Sequence, residues 1–443
     1  MPTELPLAPE ALATRAYEQR LSRLLMAYLS TGLVYLLGPG SFLGLWNLWA
    51  ISHQRAALAV SPAWLQAHGH AEVYGWVGSF ILGIGFHSLT RVRGARTPLG
   101  WAWTSWALWT TGVGLRWWAG VAAWHWRALL PASALLELAA FLIFQLAVMH
   151  AHHYDRRGGE PRAPGTRLPG WILLVFTGAF GFLLTLLLNL GGDVYLAYGA
   201  AAPAYPARFD ERLVGLMAWG FLAPFVFGFS ARWLPIFAGL RPVSDRLPRM
   251  LAAAIALGVV STLAGWFTAA AACWLLAALL AAWGLHLFQP ALQPAKTQGI
   301  HASFPLFLRV AYGWLVVSAA LGMLAAVLPT VPGPGGASRH ALTVGFIAGM
   351  VLTIGPRILP AFSGMRTLYS PRLMLAALAL LHLGCALRVS GETLAYSGWW
   401  PWAWHWLPLS ATLEVAAFTL FAYNLARTLL QPPAHLMEPH RPR

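Results

Sequence analysis

Three stretches of this chain are copies of one another, and their positions divide it into thirds. The first is Gly75-Trp-Val-Gly-Ser-Phe-Ile-Leu-Gly-Ile-Gly-Phe-His87 and the second Gly220-Phe-Leu-Ala-Pro-Phe-Val-Phe-Gly-Phe-Ser-Ala-Arg232. The third is Gly345-Phe-Ile-Ala-Gly-Met-Val-Leu-Thr-Ile-Gly-Pro-Arg357. The second and third continue alike, Arg232-Trp-Leu-Pro-Ile-Phe-Ala-Gly239 against Arg357-Ile-Leu-Pro-Ala-Phe-Ser-Gly364. Five residues before the opening Gly, copies one and three carry His70 and His340, whereas copy two carries Gly215. Repeats of this kind imply tandem units of similar shape.

Composition fixes the solvent. Hydrophobic residues make up 58% of the chain and charged residues 10%, with a mean hydropathy of +0.61, so too little polar surface exists for a soluble fold. Because a bilayer core offers no water to unpaired backbone groups, apolar runs of about 20 residues must be helices. The runs predict an all-α integral membrane protein of about twelve transmembrane helices, over 23–50, 69–90, 99–119, 131–153, 169–190, 211–235, 248–267, 269–289, 305–328, 340–360, 372–390 and 405–430. The boundary between the seventh and eighth is the least marked. The repeats fall on helices two, six and ten, giving three four-helix units, roughly 23–153, 169–289 and 305–430, in a single membrane domain over 23–430. Residues 1–22 and 431–443 flank it as cytoplasmic segments.

The formal charge is +15, which in a soluble protein would raise nucleic acid as a partner. Here the basic residues gather on every second connection: Arg15, Arg20 and Arg23; Arg91, Arg93 and Arg96; Arg156, Arg157, Arg162 and Arg167; Arg241, Arg246 and Arg249; Lys296; Arg366 and Arg372. That pattern is positive-inside, implies both termini in the cytoplasm and argues against nucleic acid. The first 22 residues lack the apolar centre of a cleavable signal. Cys273 and Cys385 both lie in apolar helices, which excludes a disulfide framework or a Cys-based cluster. Neither a phosphate-binding Gly-rich loop nor a nucleophile elbow is present.

With this topology His68, His70 and His340 lie at the outer end, and His87, Arg232 and Arg357 at the inner end, about 25 Å away. The two ends cannot serve one site. A second echo lies on helices four and twelve: Trp124-His125-Trp126, Pro131 and Glu137 match Trp404-His405-Trp406, Pro408 and Glu414. Leu115-Arg116 and Leu387-Arg388 form a further matched pair near the outer surface. Of the acidic residues, only Glu72, Glu137 and Glu414 lie inside the spans, away from their end residues. Ionisable groups at such depths are costly and face a protein interior.

Two imidazoles on facing helices are a common way to hold a haem iron, and apolar helix surfaces suit the macrocycle. His70 and His340 are the natural axial pair, the alternative being two interfacial histidines bonded to carbonyls. His68 stands about 200° around the helix from His70, so it addresses a second metal such as copper, or water. Arg116 and Arg388 sit where haem propionates would point, or snorkel to lipid phosphate. Glu72 and Tyr74 are candidates for a catalytic proton relay. The many Trp residues at the outer boundary form an aromatic belt, and His150-Ala-His152-His153 marks the inner boundary rather than a metal site. His286 and His382 are lone histidines within helices.

The blocks His340-Ala-Leu-Thr-Val-Gly345 with Gly349-Met350 and Arg357, Arg232-Trp-Leu-Pro-Ile-Phe237, and His68-Gly-His70 followed by Gly75 resemble the NnrS family. The resemblance implies a polytopic protein of the bacterial inner membrane, associated with haem and copper and with the response to nitric oxide. Two positions depart from the family pattern. Ala71 stands where a Glu follows the second His, and Pro360, Ala361 and Phe362 occupy a region where the family carries a further His, which weakens copper. Separately, Gly69-His70-Ala71-Glu72-Val73-Tyr74 resembles the copper-binding helix of haem–copper oxidases, whose catalytic subunit also has twelve helices in three pseudo-equivalent fours. Together these imply a haem protein with a diatomic gas such as nitric oxide as ligand, in nitrosative-stress protection or electron transfer with a redox donor or respiratory partner. A redox enzyme is one form of this reading. The alternatives are a proton-coupled transporter and a haem or copper assembly factor for respiratory complexes.

Overall fold

The computed structural model describes residues 9–93, 96–158, 169–363 and 366–431. These form twelve helical rods: α1 (9–54), α2 (62–93), α3 (Leu99–Ala122), α4 (Trp126–Gly158), α5 (Gly170–Gly199), α6 (Ala207–Ala238), α7 (Arg246–Ala264), α8 (Phe267–Gly284), α9 (Phe304–Val327), α10 (Pro334–Phe362), α11 (Pro371–Tyr396) and α12 (Trp406–Leu430). Ten of them are long and apolar enough to cross a membrane; α2 and α3 fall outside that group. The expected twelve spans are therefore supported for ten. The reason lies in composition: α2 carries Gln66, His68, His70, Glu72 and His87, while α3 is crowded with Trp and holds Arg116.

Local signals set the helix ends. Ser61 caps α2, its hydroxyl accepting from the Ala63 amide at 3.3 Å ahead of Pro62, and Ser370 caps α11 in the same way before Pro371. A side-chain oxygen satisfies an otherwise orphan amide, and Pro at the first turn lacks the amide that would be orphaned. α7 stops at Gly265, whose φ of 78° is left-handed. The Trp266 amide then bonds back to the Ser261 carbonyl at 2.8 Å, the closure expected of a Gly-terminated helix. The boundary that the hydropathy left blurred is thus set by one glycine, a few residues earlier than expected.

Sequential helices pack side by side, and α12 returns against α1 to close the ring. The repeat-bearing helices meet inside it. Phe221 of α6 lies 6.2 Å from Tyr74 of α2, and Phe227 of α6 lies 6.0 Å from Phe346 of α10. α5 approaches α6 so closely that a Cβ on Gly181 would stand 2.0 Å from the Gly220 carbonyl oxygen, the close backbone contact that small residues permit between membrane helices.

The three repeats share a backbone signature. A π-helical stretch begins directly after His70 (Ala71–Gly78), after Gly215 (Leu216–Leu222) and after His340 (Ala341–Ala348). Such widened turns redirect side chains and recur at functional sites. A fourth, Leu36–Phe42, lies in α1 around Pro39.

Candidate functional site

Two constellations of ionisable side chains occupy matching places in the first and third units. In the first, His70 of α2 bonds through Nε2 to Glu137 of α4 at 2.8 Å. Both are buried, Glu137 completely. Gly112 of α3 makes the room, since a Cβ there would lie 2.8 Å from Glu137 Cγ and 3.0 Å from the Ser133 carbonyl. One turn further along α3, Arg116 donates to Asp193 of α5 in a pair sealed from solvent. The Tyr205 hydroxyl donates to the same Asp193 oxygen at 2.5 Å, and the guanidinium lies 4.7 Å from the Tyr205 ring centre. Gln66 clamps the Tyr205 backbone at both its amide, 2.8 Å, and its carbonyl, 3.1 Å.

The third unit repeats the plan with one change. Gly384 of α11 faces Glu414 of α12, a Cβ there falling 2.9 Å from Glu414 Cγ and 3.0 Å from the Ser410 carbonyl. One turn on, Arg388 Nη2 lies 3.0 Å from His340 Nε2. A guanidinium only donates, so His340 Nε2 accepts and its Nδ1–H donates toward the Gly336 carbonyl at 3.0 Å and Glu392 at 3.1 Å. Arg388 also pairs with Glu392 at 3.2 Å. Buried Arg388 Nε and Nη1 and Glu414 Oε1 have no hydrogen-bond partner. An orphaned buried donor is expensive, so these atoms mark a place where something polar belongs.

α1 and α2 complete this second constellation. His68 Nδ1 donates to the Gly40 carbonyl at 3.0 Å, which leaves the lone pair on Nε2. Gly44 exists to admit that ring: a Cβ would stand 2.7 Å from His68 Cε1. His68 lies within electrostatic range of His340 and Arg388, and Glu72, bonded by the Ser41 hydroxyl at 2.9 Å, lies within range of Glu414. Tyr74 belongs to the first constellation, its ring 4.5 Å from His70 and its hydroxyl accepting from Asn189 at 2.9 Å. The structure therefore separates the two proposed relay residues, Glu72 facing α1 and Tyr74 facing α5.

The second unit has the frame without the charges. Gly258 of α7 faces Trp274 of α8 as Gly112 and Gly384 face Glu137 and Glu414, and Thr262, one turn on, comes near Gly215. The His, Arg and Glu positions are here Gly215, Thr262 and Trp274.

Elsewhere, His382 is buried with neither ring nitrogen partnered and stacks on Phe307 at 5.4 Å. His286 lies beyond the end of α8 in a left-handed conformation, φ 57°, rather than within a helix. The side chains of His152 and His153 and the whole of His435 lie outside the described residues. Among the described residues no group of three or more His, Cys, Asp or Glu is arranged to hold a metal ion.

The NnrS family model, described as NnrS protein, matches residues 27–432. The chain belongs to the NnrS family. No curated protein matches the sequence. Among solved structures, the cryo-EM structure of a heme-copper terminal oxidase dimer matches with a TM-score of 0.71 at 12% identity, covering 94% of this chain and 85% of that one. This family member therefore shares the fold of that oxidase, and at such identity the likeness speaks for fold alone.

Two members of the constellations escape the hydropathy pattern. Asp193 and Glu392 lie inside α5 and α11, 1% and 3% exposed, whereas the expected spans stop short of both at 190 and 390. Each acid lowers the local hydropathy and so trims the span that contains it. The available signal was arithmetic: a buried Arg116 and a buried Arg388 each require a carboxylate.

Proposed function

We propose that this NnrS-family protein binds haem in a bacterial inner membrane, at the constellation around His340, and acts on a diatomic gas such as nitric oxide. Protection against nitrosative stress or electron transfer to a respiratory partner is the corresponding role. One observation carries the reading: His340 of α10 and His68 of α2 each have one ring nitrogen tied to a carbonyl or carboxylate, as a ligating imidazole needs. Beside them Arg388 keeps two unpartnered donors, and the surrounding helices are apolar.

The donor set suits a haem, which takes its in-plane ligands from the macrocycle and asks the protein for one or two axial imidazoles. A bound haem supplies reversible gas binding and one-electron chemistry. His340 would hold the iron through Nε2, once Arg388 Nη2, which donates to that nitrogen here, turns away. α2 would supply a second imidazole, and the geometry favours His68 over the repeat-equivalent His70, because His68 lies within electrostatic range of His340 while His70 is turned to Glu137. Arg388 can turn its free Nε and Nη1 to a propionate; Arg116 is committed to Asp193. Glu72 and Glu414 are placed to take up or release a proton at the same site. Copper fits less well, since three protein ligands do not converge among the described residues.

Absorbance and pyridine-haemochromogen analysis of purified protein test the proposal. A Soret band with about one haem per chain is the expected result. A colourless, folded preparation that stays colourless when haem is added would favour a proton-coupled transporter.

A further inference from the structure

The second unit's compartment lacks the buried His, Arg and Glu of the other two, and it is also hollow. A cavity of about 780 Å³ lies between α6, α7 and α8 on one side and α9 and α10 on the other. Gly215, Thr262 and Ala270 stand on its wall where the first unit has His70, Arg116 and Ser133. Part of its wall is thus the place that imidazole and guanidinium take in the other two units. Its size falls within the roughly 300–1,000 Å³ of sites that enclose small ligands.

The wall chemistry narrows the occupant. Thr262 bonds its own helix at the Gly258 carbonyl, 2.8 Å, and Ser318 and Ser338 bond each other's carbonyls, each at 2.8 Å. These hydroxyls are satisfied and ask nothing of a ligand. Trp219 and Trp274, stacked at 5.4 Å, add an apolar surface. Charge enters at exposed Glu211 and Arg339. Arg212 stands beside them, its Nη2 2.9 Å from where a Cβ on Gly265 would be, and its buried Nε has no partner. An apolar chamber inside a bilayer protein, with two guanidinium groups at its margin and one donor unmet, suits an amphiphile with an anionic head.

We infer that this cavity is a structural phospholipid site, holding an acyl chain against Trp219 and Trp274 with the phosphate at Arg339 and Arg212. The inference is independent of haem. A guanidinium recognises a phosphate through paired donors, and the bilayer is the source.

The test uses the full chain reconstituted with phosphatidylglycerol, washed in detergent, with retained lipid measured by native mass spectrometry. Wild type should keep one phospholipid. Gly215→Leu should lose it, because a Cβ there meets only Thr262 Cγ2, at 3.6 Å, and the added side chain enters the void without moving the backbone. Arg339→Gln, an exposed substitution that leaves packing intact, should also weaken retention, so the inference stays testable if the Leu variant fails to fold. Unchanged retention in both variants, or recovery of an isoprenoid quinone instead of phospholipid, would overturn it. Haem content of Gly215→Leu should equal wild type, which separates failure here from failure of the haem reading.

Discussion

Arg116 and Asp193 should behave as a coupled unit whose separate removal harms the protein more than joint removal. Arg116 is 4% and Asp193 1% exposed, so neither charge can turn to water when its partner is lost. Removing one member of such a pair costs about 3–5 kcal/mol, whereas replacing both with apolar residues of similar volume is often neutral. Asp193→Leu and Arg116→Met should therefore each destabilise by about 3–5 kcal/mol, with the double variant closer to wild type than either. Tyr205 sharpens the expectation: in Asp193→Leu its hydroxyl loses an acceptor at 2.5 Å, which places that variant at the upper end. Reversible unfolding in mixed dodecylmaltoside and SDS micelles measures the cycle. Single costs under about 1 kcal/mol, or costs that simply add, would refute the buried pairing.

Gly181→Ala tests the tightest helix contact. Its Cβ would meet the Gly220 carbonyl oxygen at 2.0 Å, backbone that cannot rotate aside, so a loss of about 1–3 kcal/mol or more is expected in the same unfolding assay. Gly191→Ala, with open space around it, should be tolerated. Orientation is checked by reporter fusions: those after Arg93, Arg162 and Arg246 should report cytoplasm, and those near Gly199 and Gly335 periplasm. The opposite pattern would place the His constellations on the cytoplasmic side.

The fold was legible in the sequence because a bilayer leaves few options. Apolar runs had to be helices, and Gly75, Gly220 and Gly345 align three units in the sequence itself. What the runs could not show was depth of packing. Gly112 and Gly384 carry no chemistry of their own, yet they admit Glu137 and Glu414. Their match with Gly258 appears only once α3, α7 and α11 are set beside α4, α8 and α12. The site was half legible. His70, His340, Arg116, Arg388 and Glu72 were found as ionisable groups at improbable depth, and repetition singled out all but Glu72. Their partners were not: His70 and His340 stand at one repeat position, each directly before a π-helical stretch, yet His70 bonds Glu137 and His340 bonds Glu392 and Arg388, a difference made by side chains of other helices that the repeat does not show.

The central claim is that His340 and a histidine of α2 hold one haem. Low-temperature electron paramagnetic resonance of the oxidised, purified protein tests it most directly, since a bis-imidazole iron is six-coordinate and low spin. The low-spin signal should vanish in His340→Ala and in His68→Ala, leaving high-spin iron or an empty site, while His70→Ala keeps it and the polar-tail variant His435→Ala is silent. Loss in His340→Ala and His70→Ala with His68→Ala unaffected would restore the repeat-equivalent pair. A wild-type spectrum in His340→Ala would contradict the account.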